Sequence, residues 1–199
     1  MPYYDPIDAP MPIKHLLALI APPPTPVSNE GDWGAAEIVV GAKYPTDFRD
    51  LIGRYGSGAF FQGHLTVYNP LTLEGLAWIK KLERILRPKR ERLNPLPLAV
   101  HPDTPGLLVW GGDENGNCYA WYTKGKLDKW PVVVLEHGYD SRPLELTTDI
   151  TGFLAGYATD KFAQLVQPGQ PMTEEMRVFT PGRNQGEVAR ARIQCRKNK

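Results

Sequence analysis

The stretch GLLVWGGDENGNCYAWYTKGKLDKWPVVVLEH, residues 106–137, decides the fold. It holds three apolar runs, which are separated by short segments rich in glycine, asparagine and lysine. Asn115-Gly116 between the first two runs is typical of a β-hairpin, because a type I′ turn requires a positive φ at both central residues. We therefore predict three antiparallel strands, joined by tight turns, in the middle of one sheet.

Large aromatic side chains mark the same stretch. Three of the five tryptophans lie in it. We expect Trp110 and Trp121 to anchor the hairpin and Trp130-Pro131 to end the three-stranded unit. In the second strand, alternation places Tyr119 and Trp121 on one face and smaller side chains on the other. The alternation does not show which face the helices cover.

A helical pattern precedes this stretch. Between Pro45 and Gly56, apolar residues recur at the spacing i, i+3, i+4, i+7, namely Phe48, Leu51, Ile52 and Tyr55. We expect Gly56 to end this helix in the left-handed conformation. Further patterns predict helices within residues 13–21, 33–41, 71–86 and 150–158, the second with Asp32 as its N-cap. Strands are predicted at residues 65–69, 96–101 and 142–146.

Together these elements predict an α+β fold, with a single antiparallel sheet of about four to six strands and helices packed on one side. Residues 1–30 are rich in proline and are interpreted as an N-terminal extension. Residues 31–166 form the predicted domain. Residues 167–199 are interpreted as a polar C-terminal extension, in which segments 176–179 and 188–195 form a candidate late hairpin.

Composition excludes several classes of protein. The formal net charge of +1 gives no global attraction to nucleic acid or to an anionic membrane. Two cysteines are too few for a disulfide scaffold, so we expect a reduced, cytoplasmic chain. No secretory signal is recognisable at the N-terminus, and no apolar run approaches the roughly 18 residues of a membrane span.

The sequence predicts no catalytic residue, cofactor or metal ion. Residues 113–117 (DENGN) begin like a calcium loop, but glycine stands at the fourth position instead of the sixth. Lys124 also occupies the twelfth position, where a glutamate is needed, so we interpret the loop as a plain turn. A hydrolase built from dispersed residues would require a deep pocket with convergent polar groups.

Two blocks of residues resemble the SUKH superfamily of Smi/Knr-type domains. The first block contains a Trp and a Glu before a helix that opens with Pro and ends in Tyr-Gly-x-Gly, here Asp32-Trp33, Glu37, Gly41, Pro45, Asp47-Phe48, Leu51, Tyr55-Gly56 and Gly58. The second is a strand, an Asn-Gly turn, a second strand and a WPVV segment, here Leu107, Trp110-Gly111, Asp113, Asn115-Gly116, Trp121 and Trp130-Pro131-Val132-Val133. Phe153-Leu154 matches the closing helix. Tyr44 departs from the pattern, since leucine is usual before Pro45.

This resemblance implies an α+β fold and a role in protein binding. Bacterial members are largely immunity proteins, which bind and neutralise a cognate polymorphic toxin, often a nuclease. We therefore expect a non-enzymatic immunity protein whose partner is a protein toxin. The acidic residues that cluster on the turns of the predicted strands are the candidate contacts for a basic toxin, namely Asp103, Asp113, Glu114 and Asp128.

A second interpretation uses the basic segment 80–92, which holds seven lysines and arginines beside two glutamates. Such a run is typical of a nucleic-acid-associated or scaffold protein. It is also typical of a solvated helix face whose cations complement the negative end of the helix dipole.

Overall fold

The computed structural model describes residues 13–87, 97–137, 142–167 and 169–182. Within them, six α-helices are present: α1 (Ile13–Leu19), α2 (Trp33–Val40), α3 (Thr46–Tyr55), α4 (Leu73–Leu86), α5 (Ile150–Ala158) and α6 (Ala163–Val166). The strands are β1 (Gly58–Phe60), β2 (Leu65–Val67), β3 (Leu107–Asp113), β4 (Cys118–Tyr122), β5 (Val132–Leu135), β6 (Leu144–Leu146) and β7 (Phe179–Pro181).

The seven strands form one antiparallel sheet in the order β6-β5-β4-β3-β2-β1-β7. The α+β class and the single antiparallel sheet are confirmed. The strand number exceeds the predicted four to six because β1 and β7, of three residues each, add to the sheet beside β2. As predicted, the stretch 106–137 supplies three consecutive strands, with β3 in the middle of the sheet.

The first face of the sheet carries the larger part of the core. Trp110, Tyr119 and Trp121 are fully buried there against aromatic residues of α3 and α5. Helix α1 also packs on α5, and its Leu16 and the following Ile20 are buried. The segment interpreted as an N-terminal extension therefore supplies part of the core.

The second face is also covered, but only in part, which differs from the prediction of helices on one side. Leu82 and Leu86 of α4 pack there on small and branched side chains of β3, β4 and β5, together with Val100. The alternation in β4 explains this arrangement, because Cys118 and Ala120 are small enough for a helix to approach the sheet closely.

Two predicted turns take a different backbone conformation. The β3–β4 hairpin is present, but only Gly116 of the Asn-Gly pair has a positive φ (84°). Its N–H donates to the Asp113 carbonyl at 3.1 Å, so the turn has Glu114 and Asn115 at its centre, and it is not type I′. Gly56 has a positive φ (70°) with ψ −150°, outside the left-handed helical region, and a Cβ there would overlap the backbone of Val27.

The remaining predicted elements have mixed outcomes. The side chain of Asp32 accepts from the Ala35 N–H at 3.0 Å, as expected of the N-cap. In place of the predicted edge strand at 96–101, the described part shows a single bridge between Val100 and Leu107. For the candidate late hairpin, β7 pairs with β1, and residues 188–195 lie outside the described residues.

Candidate functional site

An open cleft lies on the second face, beyond the part that α4 covers. Its floor is a row of small side chains on three adjacent strands, since Ala59 of β1 pairs with Thr66 of β2 and with Thr180 of β7. Thr66 and Thr180 are exposed and Ala59 is half-buried. The cleft has a volume of about 510 Å³, which is in the usual range for small-molecule sites.

Trp78 of α4 forms one wall of the cleft. Its indole stacks on the ring of Tyr68 with 5.9 Å between centroids and 8° between planes. The Nζ atom of Lys81 lies 4.0 Å from the centre of the indole, in the geometry of a cation–π contact. The Trp78 side chain is therefore held in place while the residue remains 38% exposed.

Trp78 is a large exposed apolar side chain that lines this cleft. Six large hydrophobic residues are exposed in the described part of the chain, and three of them flank the second face: Trp78, Ile85 and Val178. Trp78 and Ile85 are seven residues apart and so lie on the same side of α4. Val178 immediately precedes β7 and shares the side of Thr180. Grouped exposed apolar residues of this kind mark interaction surfaces.

The first turn of α4 is fixed to the loop before it. The Thr72 hydroxyl accepts from the Gly75 N–H at 3.0 Å and donates to the Asn69 carbonyl at 2.9 Å. A Cβ at Gly75 would overlap that carbonyl, so glycine permits the close approach. The Asn69 side chain donates to the Ser57 hydroxyl and to the Ser28 carbonyl. These hydrogen bonds therefore connect α4, which forms the wall of the cleft, to the segment that precedes β1 in its floor.

The other end of α4 is held by a buried polar pair. Glu83 and His101 are both nearly inaccessible, and a carboxylate oxygen of Glu83 lies 3.2 Å from His101 Nδ1. Arg87 donates to the His101 carbonyl at 2.6 Å. These contacts position the helix and lie away from the cleft.

The acidic residues predicted to bind a partner do not form one cluster. Asp113 and Glu114 lie at the β3–β4 turn, whereas Asp103 precedes β3 and Asp128 lies between β4 and β5. The two pairs are therefore at opposite ends of β3, whose seven residues span about 20 Å.

Asp113 is used inside its own turn. Its carboxylate accepts from the backbone N–H groups of Asn115 and Asn117, from the Asn117 amide and from the Tyr119 hydroxyl, at 2.8 to 3.0 Å. The side chain has no exposed surface. Asp128 accepts from the Thr46 N–H at 2.7 Å at the start of α3. Both residues stabilise the fold in this structure, and Asp113 presents nothing to a partner.

His64 lies between two of these carboxylates on the first face. Its Nδ1 is 2.8 Å from Glu114, and its Nε2 is 3.9 Å from Asp113. The imidazole also packs near the ring of Tyr157. The residue is 8% exposed and lies outside the cleft, so we interpret it as a contact that fixes β2 to the β3–β4 turn.

Two other carboxylates, one buried and one half-buried, hold helices together. Glu37 of α2 binds Lys43 and Arg49. Although burial would raise its pKa, the hydrogen bonds and the two cations hold it below its usual value. Asp47 of α3 accepts from the Ile150 N–H at 2.9 Å, at the start of α5. Burial, with Asp149 nearby, raises the pKa of Asp47 to about 6.

The remaining predicted structural residues lie at joints of the fold. Trp33 is half-buried, and its ring contacts Tyr44, Phe48 and Arg49. Pro45 precedes α3 as its N-cap residue. Trp130 is half-buried against the first-face core, and Pro131 leads into β5. Cys118 is fully buried, and desolvation raises the pKa of its thiol, so it is an inert core residue.

The described residues contain no group of three or more His, Cys, Asp or Glu side chains arranged to hold a metal ion. Among the helices described here, none has the length and apolar character needed to span a membrane.

The sequence did not predict the cleft. No sequence motif includes Trp78, Tyr68, Thr66 or Thr180. The cleft depends on the pairing of β1 with β7, which are 119 residues apart at the Phe60–Phe179 pair. The sequence contained one related signal, the small side chains of Cys118 and Ala120 on one face of β4. They allow a helix to pack closely on that part of the second face, but they do not indicate that the rest of this face stays open.

No model of a known protein family matches the chain, and no curated protein or solved structure matches it significantly. The resemblance to the SUKH superfamily therefore stays a prediction from the sequence.

Proposed function

We propose that this protein is a non-enzymatic, cytoplasmic protein-binding domain, an immunity protein of the SUKH type that neutralises a cognate toxin by direct binding. The single observation that supports the binding surface is the open cleft beside α4. A partner segment placed there would cover Trp78 and the row Thr66–Ala59–Thr180. The proposal requires neither a cofactor nor a metal ion.

A binding role suits the chemistry of the cleft better than a reaction does. Its lining offers hydroxyl groups and an aromatic wall, and Glu74 is the one ionisable carboxylate among the described lining residues. A hydrolase would need a nucleophile next to a base. The described lining includes neither histidine nor cysteine. Aromatic anchors with surrounding polar groups are typical of protein interfaces.

The test is a pull-down with the product of the neighbouring open reading frame, followed by rescue of cells in which that product is toxic. We expect the full-length chain to co-purify with that protein and to abolish its toxicity. Trp78→Ala should weaken both effects at least about 10-fold, as expected of an interface anchor. Ile38→Ala, which changes an exposed apolar residue on α2, is the matched control. Absence of both capture and rescue by the unmodified chain would exclude the immunity role.

A nucleic-acid-associated or scaffold function is the second candidate, favoured by one observation. Lys80, Lys81 and Arg84 are all exposed on α4. The cations of the same run at positions 89, 90 and 92 lie outside the described residues. If this function is correct, changing all three lysines and arginines of α4 to glutamine should weaken binding to RNA or DNA and reduce its salt dependence. Lack of any affinity at low salt would exclude it.

A further inference from the structure

We propose that the outer side of α2 is a self-association surface, on which two copies of this chain pair as an antiparallel dimer with twofold symmetry. The surface consists of Gly34, Ala35, Ile38 and Val39, which are all exposed. None of these residues lines the cleft beside α4, so this inference does not depend on the proposed function.

Helix α2 presents apolar residues to solvent and its charge to the interior. Its one ionisable residue, Glu37, is 6% exposed and is held by Lys43 and Arg49. On the other side, Ile38 is 84% exposed and Val39 is 47% exposed, the two largest values among the large hydrophobic residues of the described chain. A surface helix normally carries charged residues on its outer side, and a helix that is apolar all round is normally buried. The pattern therefore indicates that the outer side of α2 is covered in solution.

The residues of this surface are complementary to the same residues of a second copy. When two α2 helices lie antiparallel about the midpoint between residues 36 and 37, Gly34 faces Val39 of the second copy. Ala35 likewise faces Ile38 of the second copy. Each branched side chain therefore meets a small residue, which lets the two helices approach closely. Beyond the backbone of α2 itself, the only described heavy atom within 4 Å of a Cβ at Gly34 would be a carboxylate oxygen of Asp32, so the space above Gly34 is open.

The charges beyond the ends of α2 favour the same arrangement. Glu30 precedes the helix and Lys43 follows it, and both are exposed. Antiparallel pairing about the same midpoint brings Glu30 of one copy opposite Lys43 of the other, at both ends of the interface. The Lys43 Nζ atom binds Glu37 at 2.7 Å, but the lysine side chain is 72% exposed and has three donors, so it can bind a second carboxylate. The two helix dipoles are also opposed in this arrangement.

The size of the surface sets the expected affinity. Helix α2 has eight residues and is therefore about 12 Å long. A single pair of such helices buries less than the roughly 800 Å² per partner that is usual for a stable complex. We therefore expect a dimer with a micromolar dissociation constant, which separates on dilution.

Sedimentation equilibrium of the full-length chain, from about 1 to about 500 µM, tests the association. We expect the mass to rise with concentration from that of one chain toward that of two. Ile38→Lys should weaken self-association at least about 10-fold, because it places two cations within the apolar surface. Val178→Lys, at an exposed apolar position before β7, is the matched control and should change it less than about twofold. Circular dichroism should show both variants folded, since both positions are exposed.

Disulfide crosslinking tests the antiparallel arrangement. In a Cys195→Ser background, Ala35→Cys chains are mixed with Ile38→Cys chains and oxidised with copper phenanthroline. We expect the mixed pair to crosslink faster than either chain alone, because the antiparallel dimer places residue 35 opposite residue 38. In parallel, Glu30→Lys should weaken self-association about 3-fold, whereas Glu145→Lys, an exposed residue of β6, should leave it unchanged.

Each result supports or overturns one part of the proposal. The mass of one chain at every concentration would overturn the dimer, and would show that a different protein or another segment of this chain covers α2. A dimer that persists unchanged in Ile38→Lys would overturn its location. Faster crosslinking of identical chains than of the mixed pair would overturn the antiparallel arrangement. None of these results bears on capture of a toxin at the cleft, which is tested separately.

Discussion

The two faces of the sheet differ in the size of their side chains and in what covers them. On the first face, Trp110, Tyr119 and Trp121 are buried beneath α1, α3 and α5. On the second face, the same strands present Val109, Cys118 and Ala120 to α4, and the strands beyond them present Ala59 and two threonines to the cleft. The first face is therefore covered through aromatic packing. The second face is covered by α4 in one part and remains open at the cleft.

The comparison shows that one set of residues determines which parts of the sheet are covered by helices, and a different set determines which part stays open. The first face gains most of its stability from apolar burial, at about 25 cal/mol per Å². The floor of the open part consists of the short side chains of Ala59, Thr66 and Thr180, so leaving that floor exposed costs little. A binding surface can therefore be present without endangering the fold.

The largest expected effect is the contrast between two tryptophans. Trp121→Ala removes a fully buried indole that packs 5.0 Å from the ring of Phe48, so it should lower the free energy of unfolding by about 3–5 kcal/mol. Trp78→Ala removes a half-exposed indole and should cost about 1 kcal/mol, chiefly its stacking on Tyr68. Urea unfolding of the two variants measures both values. Equal losses would show that Trp78 belongs to the core and not to a binding surface.

A smaller effect is expected from the half-buried Asp47 carboxylate between α3 and α5, on the covered side. Because the pKa of Asp47 is raised to about 6 in the folded protein, the folded state binds a proton more tightly than the unfolded chain. Its contribution is therefore most favourable below about pH 4, and it is lost as the pH rises through 6, by up to about 3 kcal/mol.

Urea unfolding at pH 4 to 7 measures this contribution as the difference between the unmodified chain and Asp47→Asn. The asparagine oxygen can still accept from the Ile150 N–H, but it does not titrate. We expect the unmodified chain to lose stability relative to the variant over this range. A constant difference would show that the pKa of Asp47 is not raised in the folded protein.

The smallest expected effect on stability tests whether the cleft is open. Thr66→Ile adds volume to an exposed strand position and should change the free energy of unfolding by less than about 0.5 kcal/mol. Ala120→Ile makes a larger insertion beneath α4, where the residue is fully buried, and should cost about 1–3 kcal/mol. Thermal unfolding compares them. A large loss for Thr66→Ile would mean that part of the chain outside the described residues fills the cleft.

Local patterns predicted the covered parts of this fold well. The spacing of Phe48, Leu51, Ile52 and Tyr55 marks the buried side of α3, and all four are buried. The Asn-Gly pair predicted a hairpin between the right strands. It did not predict the turn type, because the Asp113 side chain binds the N–H groups of Asn115 and Asn117 and favours a turn with one positive φ.

The cleft could not be predicted, because it depends on contacts between distant segments. Thr180 meets Ala59 only when β7 pairs with β1, and no local pattern specifies that register. The position of α4 depends in turn on the close contact of Gly75 with Asn69 and on the buried pair Glu83–His101. The acidic residues were predicted as partner contacts only because they lie in predicted turns. Their hydrogen bonds inside the fold depend on the three-dimensional structure and could not be read from the sequence.

The most direct test of this account measures, by titration calorimetry at fixed salt, how tightly the product of the neighbouring open reading frame binds three chains: the unmodified chain, Trp78→Ala and Ile38→Ala. The account predicts that Trp78→Ala weakens binding at least about 10-fold, while Ile38→Ala binds like the unmodified chain. The free energy of unfolding of both variants should lie within about 1 kcal/mol of that of the unmodified chain. Unchanged affinity for Trp78→Ala, with a loss for Ile38→Ala, would contradict the central claim that the open part of the second face is the binding surface.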